Sequence, residues 1–281
     1  MFNINRRSFA IGSLATLAMG CQQTTTLNVI NATSVDNGII SRNPNFLNKQ
    51  RGRFNDVSLN ADLKPYNYQV MQDFTGLAPT RYIERFELRD GDCFNEDCKT
   101  ERERSEVIVG NSGRYGEEFW YQMYFYVPND FHIRNTHCNV AFNFPVTYKD
   151  GRWRNTALIT PIMGGTESVT RHYAMVYNGR KRERILMKPY QQMKGRWTKI
   201  ELNTLWHENG FHRFYFNDEL VVDYKGYTLG EDAKSEFHWK YGLYRGANIS
   251  AKKRKYNMDI YPTQWAAYSA VRASKTRQGW V

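Results

Sequence analysis

Arginines alternate with glutamates in the segment 101–107 and could recognise a carboxylate. Alternate residues of a β-strand share a face, so Arg102, Arg104 and Glu106 would lie together. An arginine held by Glu106 could present parallel N–H groups to a substrate carboxylate. A hydrated charged strand is the simpler explanation of this segment when it is considered alone.

A lysine and a tyrosine lie four residues apart in a second strand-like segment. Lys240, Gly242 and Tyr244 would share one face, with the glycine leaving space between the other two. The charge of Lys240 would lower the pKa of Tyr244 by stabilising the phenolate. Tyr244 could then act as both general base and general acid. An aromatic core strand with a lysine that reaches the surface is the alternative.

Amide side chains recur in a third strand-like segment, 139–144. Asn139 and Asn143 would lie on one face, where their amide N–H groups could donate to a carboxylate. A half-buried strand with one hydrated face would show the same pattern. Trp239 and Arg245, which flank the lysine–tyrosine pair, are further candidates for substrate binding.

Together these side chains suit β-elimination on a uronate. Removal of the C5 proton is difficult because the neighbouring carboxylate is already negative, so cations or amide donors must neutralise it. A base then takes the proton, and an acid protonates the leaving O4. One tyrosine can do both if the two atoms lie on the same side of the ring. We predict that Arg104, Asn143 and Lys240 neutralise the carboxylate and that Tyr244 moves the protons.

The charge and the aromatic content agree with an acidic polymer as partner. The chain has 39 Lys and Arg against 28 Asp and Glu, a net charge of +11, and 15% aromatic residues. An excess of cations favours anionic partners, and aromatic residues favour strands and stacking surfaces. A glycoside hydrolase would need two facing carboxylates, and no strand pattern supplies them. No nucleic-acid-binding motif is present either.

Residues 1–21 are predicted to be an export signal. Arg6 and Arg7 precede a short apolar run, as in a twin-arginine signal, and the run is too short to span a bilayer. The residues before Cys21 resemble a lipoprotein cleavage box, which makes Cys21 the candidate for lipidation, whereas a plain secretory peptide is the alternative. We expect a periplasmic or outer-surface lipoprotein, or a secreted protein. Contact with a membrane would be through the lipid anchor only.

Two closely spaced cysteines fit an oxidising compartment. Cys93 and Cys98 lie in a polar, turn-rich loop and are predicted to form a disulfide. Zinc is the alternative, but no second Cys or His pair has ligand spacing. Export also argues against nucleic acid as the anionic partner.

The elements that position these residues are predicted to be strands. Short segments rich in aromatic and β-branched residues are separated by turn residues, and no dozen residues show a helical period. The predicted strands are 82–88, 118–127, 139–144, 172–177, 197–205, 211–216, 220–224, 240–244 and 256–261. This pattern predicts an all-β sandwich. We divide the chain into a flexible tether at 22–55, a β-domain at 56–263 and a basic C-terminal tail at 264–281.

The order of the motifs between about 89 and 261 resembles the polysaccharide lyases of the heparin lyase I type, which are related to the alginate lyases. The matching segments, in order, are Arg104-Ser105-Glu106, Glu118-Phe119-Trp120-Tyr121, Tyr126 to Phe131, Gly195-Arg196-Trp197, Trp206 to Phe211, Asn217-Asp218 and Lys240 to Arg245. The resemblance implies a concanavalin A-like β-jelly-roll with a concave substrate groove. It also implies lyase activity, with Lys240 and Tyr244 matching a lysine and a tyrosine on one strand of that family.

One departure from that family concerns the proton-transfer residues. The family often carries Gln-x-His on the strand where this chain reads Ala141-Phe142-Asn143-Phe144. Either Tyr244 performs both proton transfers or another histidine replaces the missing one. His172 is the best candidate, with His137 behind it.

We expect no cofactor to be required and the protein to be a monomer. Because lyases of this type often carry structural calcium, the oxygen atoms of Asp90, Asp92, Asn95 and Asp97 could bind such an ion. A plain acidic turn is the simpler explanation.

The overall prediction is an exported lyase that cleaves an acidic, uronate-containing polysaccharide by β-elimination. Heparin or heparan sulfate, glucuronan, alginate and ulvan all offer a C5 proton beside a carboxylate. A noncatalytic lipoprotein that binds acidic polysaccharide is the alternative. Such a protein would keep the basic groove but would tolerate loss of the Tyr244 hydroxyl.

Overall fold

The structure is a computed structural model. It describes residues 38–50, 57–62, 64–110, 112–131, 138–139, 144, 146–147, 153–154, 159–164, 171–177, 182–189, 193–233, 238–246, 249–255 and 257–277. All of them belong to one compact unit, residues 35–281. The predicted export signal, Cys21 and the first part of the predicted tether lie outside the described residues. Within them, no helix is long and apolar enough to cross a membrane.

The described residues form seventeen strands and three short helices. In chain order the first elements are β1 (Ile39–Ser41), a 3-10 helix (Pro44–Gln50), β2 (Val57–Ala61), β3 (Tyr68–Gln72), β4 (Tyr82–Leu88), α1 (Glu96–Lys99), β5 (Glu103–Val109) and β6 (Glu118–Tyr126). They continue with β7 (Cys138–Asn139), β8 (Val146–Thr147), β9 (Trp153–Arg154), β10 (Ile159–Gly164), β11 (Arg171–Tyr177) and β12 (Arg182–Pro189). The last are β13 (Trp197–Leu205), β14 (Gly210–Phe216), β15 (Glu219–Gly226), β16 (Trp239–Arg245), α2 (Ile249–Lys255) and β17 (Gln264–Ser274).

Two antiparallel sheets contain fifteen of these strands. The eight-stranded sheet has the order β1-β3-β4-β17-β6-β13-β14-β15, and the seven-stranded sheet has the order β12-β11-β10-β7-β16-β5-β2. Strands β8 and β9 pair separately. Long-range antiparallel pairing of this kind confirms the predicted all-β jelly-roll sandwich.

Aromatic side chains join the two sheets in the core. The ring centroids of Phe86 on β4 and Tyr241 on β16 lie 5.8 Å apart, and those of Tyr121 on β6 and Trp239 on β16 lie 5.4 Å apart. Buried and half-buried residues alternate along most of β6 and β16, as expected where one sheet face meets the core. The inward face of β16 therefore carries Trp239, Tyr241 and Leu243.

The predicted C-terminal tail is wrong for residues 264–274. These residues form β17, which lies between β4 and β6 in the eight-stranded sheet. The segment is rich in alanine and serine, which have weak strand propensity, so it lacks the aromatic pattern that marks the other strands. Small side chains such as those of Ala266 and Ala267 suit a buried central position.

Two other boundaries differ from the sequence prediction. The later part of the predicted tether is ordered in strand β1, which pairs with β3, and in the 3-10 helix, where Leu47 is buried against the core. The predicted strand at 256–261 is absent from its described residues, 257–261, where Asn257 has a positive φ of 50°. A left-handed residue interrupts an extended strand.

Candidate functional site

The outer face of the seven-stranded sheet brings the predicted lysine and tyrosine together with the predicted arginines. In the pairing of β16 with β5, Tyr244 lies opposite Arg104, Gly242 opposite Glu106, and Lys240 opposite Ile108. Residues directly opposite each other in an antiparallel pair share a face. Lys240 and Tyr244 are half-buried, whereas their neighbours along β16 are buried in the core.

Position 242 must be glycine because the backbone of β5 lies against it. The space predicted between Lys240 and Tyr244 is not the main reason. The φ of Gly242 is +125°, and a Cβ atom there would collide with the carbonyl oxygen of Ser105 and lie 2.8 Å from the Cα of Glu106 and 3.0 Å from the ring of Phe86. The glycine therefore permits the close approach of β5 and the opposite sheet. It does not simply leave space between Lys240 and Tyr244.

Arg104 is held by two carboxylates. Its Nε and Nη2 donate to the two oxygens of Asp97 at 2.6 and 3.0 Å, and its Nη1 donates to Glu106 at 2.9 Å. The three side chains are 12%, 11% and 1% exposed. The parallel N–H groups predicted to face a substrate are thus bound to Asp97. Because two carboxylates already match its charge, Arg104 is a poor candidate for neutralising a third.

Asp97 lies in the short helix α1, in a segment that a disulfide closes. Cys93 and Cys98 are joined by the disulfide that the sequence predicts. The backbone N–H of Arg102 donates to the carbonyl of Asp97 at 2.8 Å, and that of Arg104 donates to the carbonyl of Asp92 at 3.1 Å. The loop is therefore tied to the start of β5 by both backbone and side-chain contacts.

Tyr244 packs beneath the guanidinium of Arg104. The Cζ atom of Arg104 lies 4.7 Å from the centroid of the phenol ring, within cation–π range. Burial raises the pKa of Tyr244, and the charges of Arg102 and Arg104 oppose the rise. The expectation that Lys240 lowers this pKa is wrong, because burial dominates. No described residue hydrogen-bonds to the phenol oxygen.

Lys240 is the second outer-face group without a hydrogen-bond or ion-pair partner in the described part of the chain. Burial lowers its pKa, which the charge of Glu106 opposes and that of Arg104 reinforces. No carboxylate of a described residue lies within ion-pair distance of its Nζ. A lysine with a lowered pKa is more readily deprotonated than a hydrated one.

Arg102 precedes β5 and is half-buried. Its Nε is buried and has no hydrogen-bond partner among the described residues, and no described carboxylate pairs with its guanidinium. Its positive charge acts to lower the pKa of Tyr244. An unpaired, partly buried arginine beside a tyrosine is suited to an anionic ligand.

Four candidates from the sequence remain. For two of them only the strand pairing is known, and the other two lie outside the described residues. Asn139 on β7 lies opposite Tyr244, whereas Asn143 and His137 are outside the described residues. His172 pairs with Met163, which pairs with Cys138.

The register places His172 and Tyr244 in different rows, where a row is the set of residues that lie opposite one another on successive strands. Cys138 lies opposite Arg245, so His172 belongs to the row of Arg245. Tyr173 pairs with Ile162, which lies opposite Asn139, and so Tyr173 is in the row of Tyr244. Adjacent rows alternate between sheet faces. The role suggested for His172 stays a prediction.

Trp239 and Arg245 are wrong as substrate-binding candidates. Both are fully buried on the core face of β16. Arg245 Nε lies 2.5 Å from Glu103, its Nη1 donates to the carbonyl of Pro262 at 2.9 Å, and its Nη2 donates to the carbonyl of Arg89 at 2.8 Å. Strand alternation places these side chains opposite to Tyr244, and both serve the core.

The acidic loop does not fit a calcium ion. Asp92 is fully buried and accepts from Lys64, Tyr66 and Asn67 at 2.8–3.0 Å. Asp97 binds Arg104, and Asp90 pairs with Lys253 at 2.5 Å. Protein donors occupy the carboxylate oxygens of all three aspartates, which leaves only Asn95 of the four predicted ligands.

Asp97 is the residue whose importance the sequence reasoning missed. In the sequence it is one of four candidate calcium ligands, whereas in the structure it is the bidentate partner of Arg104. The short spacing from Asp97 to Arg104 across a disulfide-closed turn could have suggested the pair. The sequence alone does not distinguish it from the other acids of the loop.

Solved structures share this fold. A glucuronan lyase from the fungus Trichoderma reesei superimposes with a TM-score of 0.53 at 17% identity, over 80% of this chain and 92% of that one. An alginate lyase variant bound to an alginate trisaccharide gives 0.51 at 11% identity, over 79% and 88%. At these identities the likeness concerns the fold.

The sequence matches a family model but no curated protein. No curated protein is significantly similar to the chain. A family model described as polysaccharide lyase matches residues 36–267. That match covers most of the chain, so the chain belongs to the polysaccharide lyase family.

Proposed function

We propose that this lyase cleaves a uronate-containing polysaccharide by β-elimination on the outer face of the seven-stranded sheet. The observation that carries the proposal is the group formed by Tyr244, Lys240 and Arg102. All three are half-buried around Arg104, and none has a hydrogen-bond or ion-pair partner among the described residues. The names of the two solved lyases give glucuronan and alginate, both uronate polymers, as their substrates.

We assign the neutralisation of the substrate carboxylate to Arg102. Arg104 is bound by Asp97 and Glu106, whereas the guanidinium of Arg102 is unpaired among the described residues. Withdrawal of charge from the carboxylate acidifies C5–H, because the carbanion formed there delocalises onto the carboxylate oxygens. Asn143 and Asn139 remain candidates for additional amide donors.

Tyr244 is suited to protonate the leaving O4. Because burial raises its pKa, the phenol keeps its proton near neutral pH. This property makes it a weak starting base, which departs from the one-tyrosine mechanism predicted from sequence. Lys240, whose pKa burial lowers, is the better acceptor of the C5 proton. Residues four apart on a strand are about 13 Å apart at Cα, and their long side chains can converge on one sugar above Gly242.

The activity test follows ultraviolet absorbance of the unsaturated uronate on glucuronan, alginate, heparan sulfate and ulvan. We expect the full chain to generate this absorbance on one polymer. Tyr244→Phe should lose most turnover while it still binds that polymer. Near wild-type turnover in Tyr244→Phe would remove Tyr244 from the mechanism. Retention on an acidic-polysaccharide gel without any absorbance change would favour the noncatalytic alternative.

Lys240→Arg separates the two roles available to Lys240. Arginine keeps the positive charge but cannot be deprotonated in a protein. If Lys240 is the base, the variant should lose about 10²- to 10⁴-fold in kcat. If it only neutralises charge, most activity should remain, and the base would have to be sought elsewhere.

Arg102→Gln tests the carboxylate contact. Loss of a charge-assisted bond of about 1.5–3 kcal/mol should reduce kcat/KM by about 10- to 100-fold. Arg196→Gln removes the same charge from an exposed turn before β13 and is the matched control. Equal, small effects of both changes would exclude Arg102 from the site.

We also propose that the protein is exported. The N-terminal signal pattern at 1–21 supports this location, and so does the disulfide Cys93–Cys98, because such bonds persist in oxidising compartments. Pulse labelling that detects only an unprocessed cytosolic chain would contradict it. Labelling with palmitate, lost in Cys21→Ser, would identify lipidation at Cys21.

A further inference from the structure

A chain of contacts connects the disulfide loop to the tyrosine of the site. Asp97 binds Arg104 through two hydrogen bonds, and Arg104 lies over the ring of Tyr244 with its Cζ 4.7 Å from the ring centroid. Glu106 fixes the remaining side of the guanidinium at 2.9 Å. A guanidinium with three such bonds has one orientation, and the ring packed against it is restricted in turn.

We propose that Asp97 is a positioning residue for the lyase reaction, which holds Arg104 over the ring of Tyr244 and so fixes the position of the phenol hydroxyl. The inference rests on the proposed role of Tyr244. Asp97 does not itself reach the reacting atoms, since both of its carboxylate oxygens are bound to Arg104. Its effect on the reaction passes through the arginine.

The loop that carries Asp97 is built to hold it in place. The disulfide Cys93–Cys98 closes the turn that contains Asp97. The carbonyl of Asp97 also accepts the backbone N–H of Arg102 at 2.8 Å. Asp97 thus contacts both arginines next to Tyr244, one through its side chain and one through its backbone. Preorganised geometry of this kind is valuable because a displacement of about 1 Å in a catalytic group can cost about 100-fold in rate.

The negative charge of Asp97 provides a second measurable quantity, the pKa of Tyr244, which a change in packing alone would not alter. Among the described residues, four charged side chains act on the phenol of Tyr244: Arg102 and Arg104 lower its pKa, and Glu106 and Asp97 raise it. Lys240 lies on the same strand. Removal of the Asp97 charge should therefore lower the pKa of Tyr244, in addition to loosening its ring.

The test compares Asp97→Asn with Glu96→Gln. Both remove one carboxylate from α1, but Glu96 is 81% exposed and pairs with Lys99 at the surface. Asp97→Asn should lower kcat about 10- to 100-fold with KM within about threefold of wild type. Glu96→Gln should leave both unchanged. The pKa of Tyr244 is measured in the substrate-free enzyme from carbon-13 at tyrosine Cζ, assigned by its absence in Tyr244→Phe.

The two readouts together decide the proposal. A fall in kcat with a lowered Tyr244 pKa supports it. No change in either quantity overturns it, and so does a fall in kcat without a pKa change, which would indicate general damage. A pKa change without a kinetic effect also overturns the positioning role. Because the pKa measurement needs no turnover, these outcomes are distinct from failure of Tyr244→Phe to lose activity.

A second variant covers poor folding of Asp97→Asn. Arg104→Lys keeps the charge but lacks the guanidinium fork that binds Asp97 and Glu106 at the same time. We expect kcat to fall by about the same 10- to 100-fold, with thermal unfolding checked in parallel. Wild-type kcat in a folded Arg104→Lys enzyme would overturn the proposal.

Discussion

Gly242 lies directly opposite Glu106 where β16 pairs with β5, and a Cβ atom at position 242 would lie 2.8 Å from the Cα of Glu106. The backbones of the two strands that carry the site are therefore in contact at this point. Lys240 and Tyr244 lie on either side of it along the strand. The distance between β16 and β5 at the site therefore depends on Gly242 having no side chain.

Gly242→Ala should destabilise the protein by about 3 kcal/mol or more. The added methyl group meets backbone atoms that cannot rotate away, and a φ of +125° is unfavourable for any other residue. Urea unfolding measures the loss. Gly76→Ala is the control, because Gly76 has φ +68° and no atom within 4 Å of its added Cβ, so only about 1–2 kcal/mol of backbone strain is expected. Equal losses would contradict the predicted collision.

Much of the sandwich can be predicted from sequence, because aromatic strands alternate clearly. The predicted strand at 82–88 coincides with β4, and that at 118–127 ends one residue beyond β6. Strand β17 could not be recognised in the same way. Its alanines and serines fit a crowded central position, and which positions are crowded depends on which strands become neighbours.

Part of the site could also be predicted from the alternation of residues along a strand. A period of two places Lys240 and Tyr244 on one face of β16 and Arg245 on the other, so the burial of Arg245 follows from alternation once the core face is known. The partner of Arg104 does not follow from any period. Asp97 reaches it through a turn whose path is set by the disulfide and by backbone bonds to β5.

Arg245→Met should destabilise the fold without weakening substrate binding. The change leaves Glu103 buried next to no cation, and loss of one partner of a buried ion pair costs about 3–5 kcal/mol. Burial already raises the pKa of Glu103, while Arg245 and the N–H of Gly91 oppose the rise. Chemical unfolding and KM are the measurements.

The double variant Glu103→Gln with Arg245→Met is the control for that prediction. It should be more stable than Arg245→Met alone, because no buried charge is left unpaired. If folded Arg245→Met protein has a raised KM, Arg245 contributes to substrate binding, and its assignment to the core alone is wrong.

His212 should make the protein less stable in acid. The residue lies fully buried on β14, with Nδ1 2.8 Å from Thr204 Oγ1, and burial lowers its pKa to about 3. In the unfolded chain a histidine binds its proton near pH 6.5. Between about pH 6.5 and 3 the unfolded state therefore binds more protons than the folded state. The stability from neutral His212 is fully present above about pH 6.5 and decreases as the pH falls through that window, by a total of a few kcal/mol.

His212→Asn isolates this contribution from the carboxylates that also titrate in acid. Asparagine keeps a polar atom near Thr204 but does not titrate. The variant should be less stable at pH 7.5, because the smaller side chain leaves part of the site unfilled. Its free energy of unfolding should nevertheless decrease less steeply between pH 6.5 and 4 than that of the wild type. His238→Asn, at an exposed position, should reproduce the wild-type slope. Parallel curves for His212→Asn and wild type would mean that His212 gains its proton without unfolding, in conflict with a fully buried neutral ring.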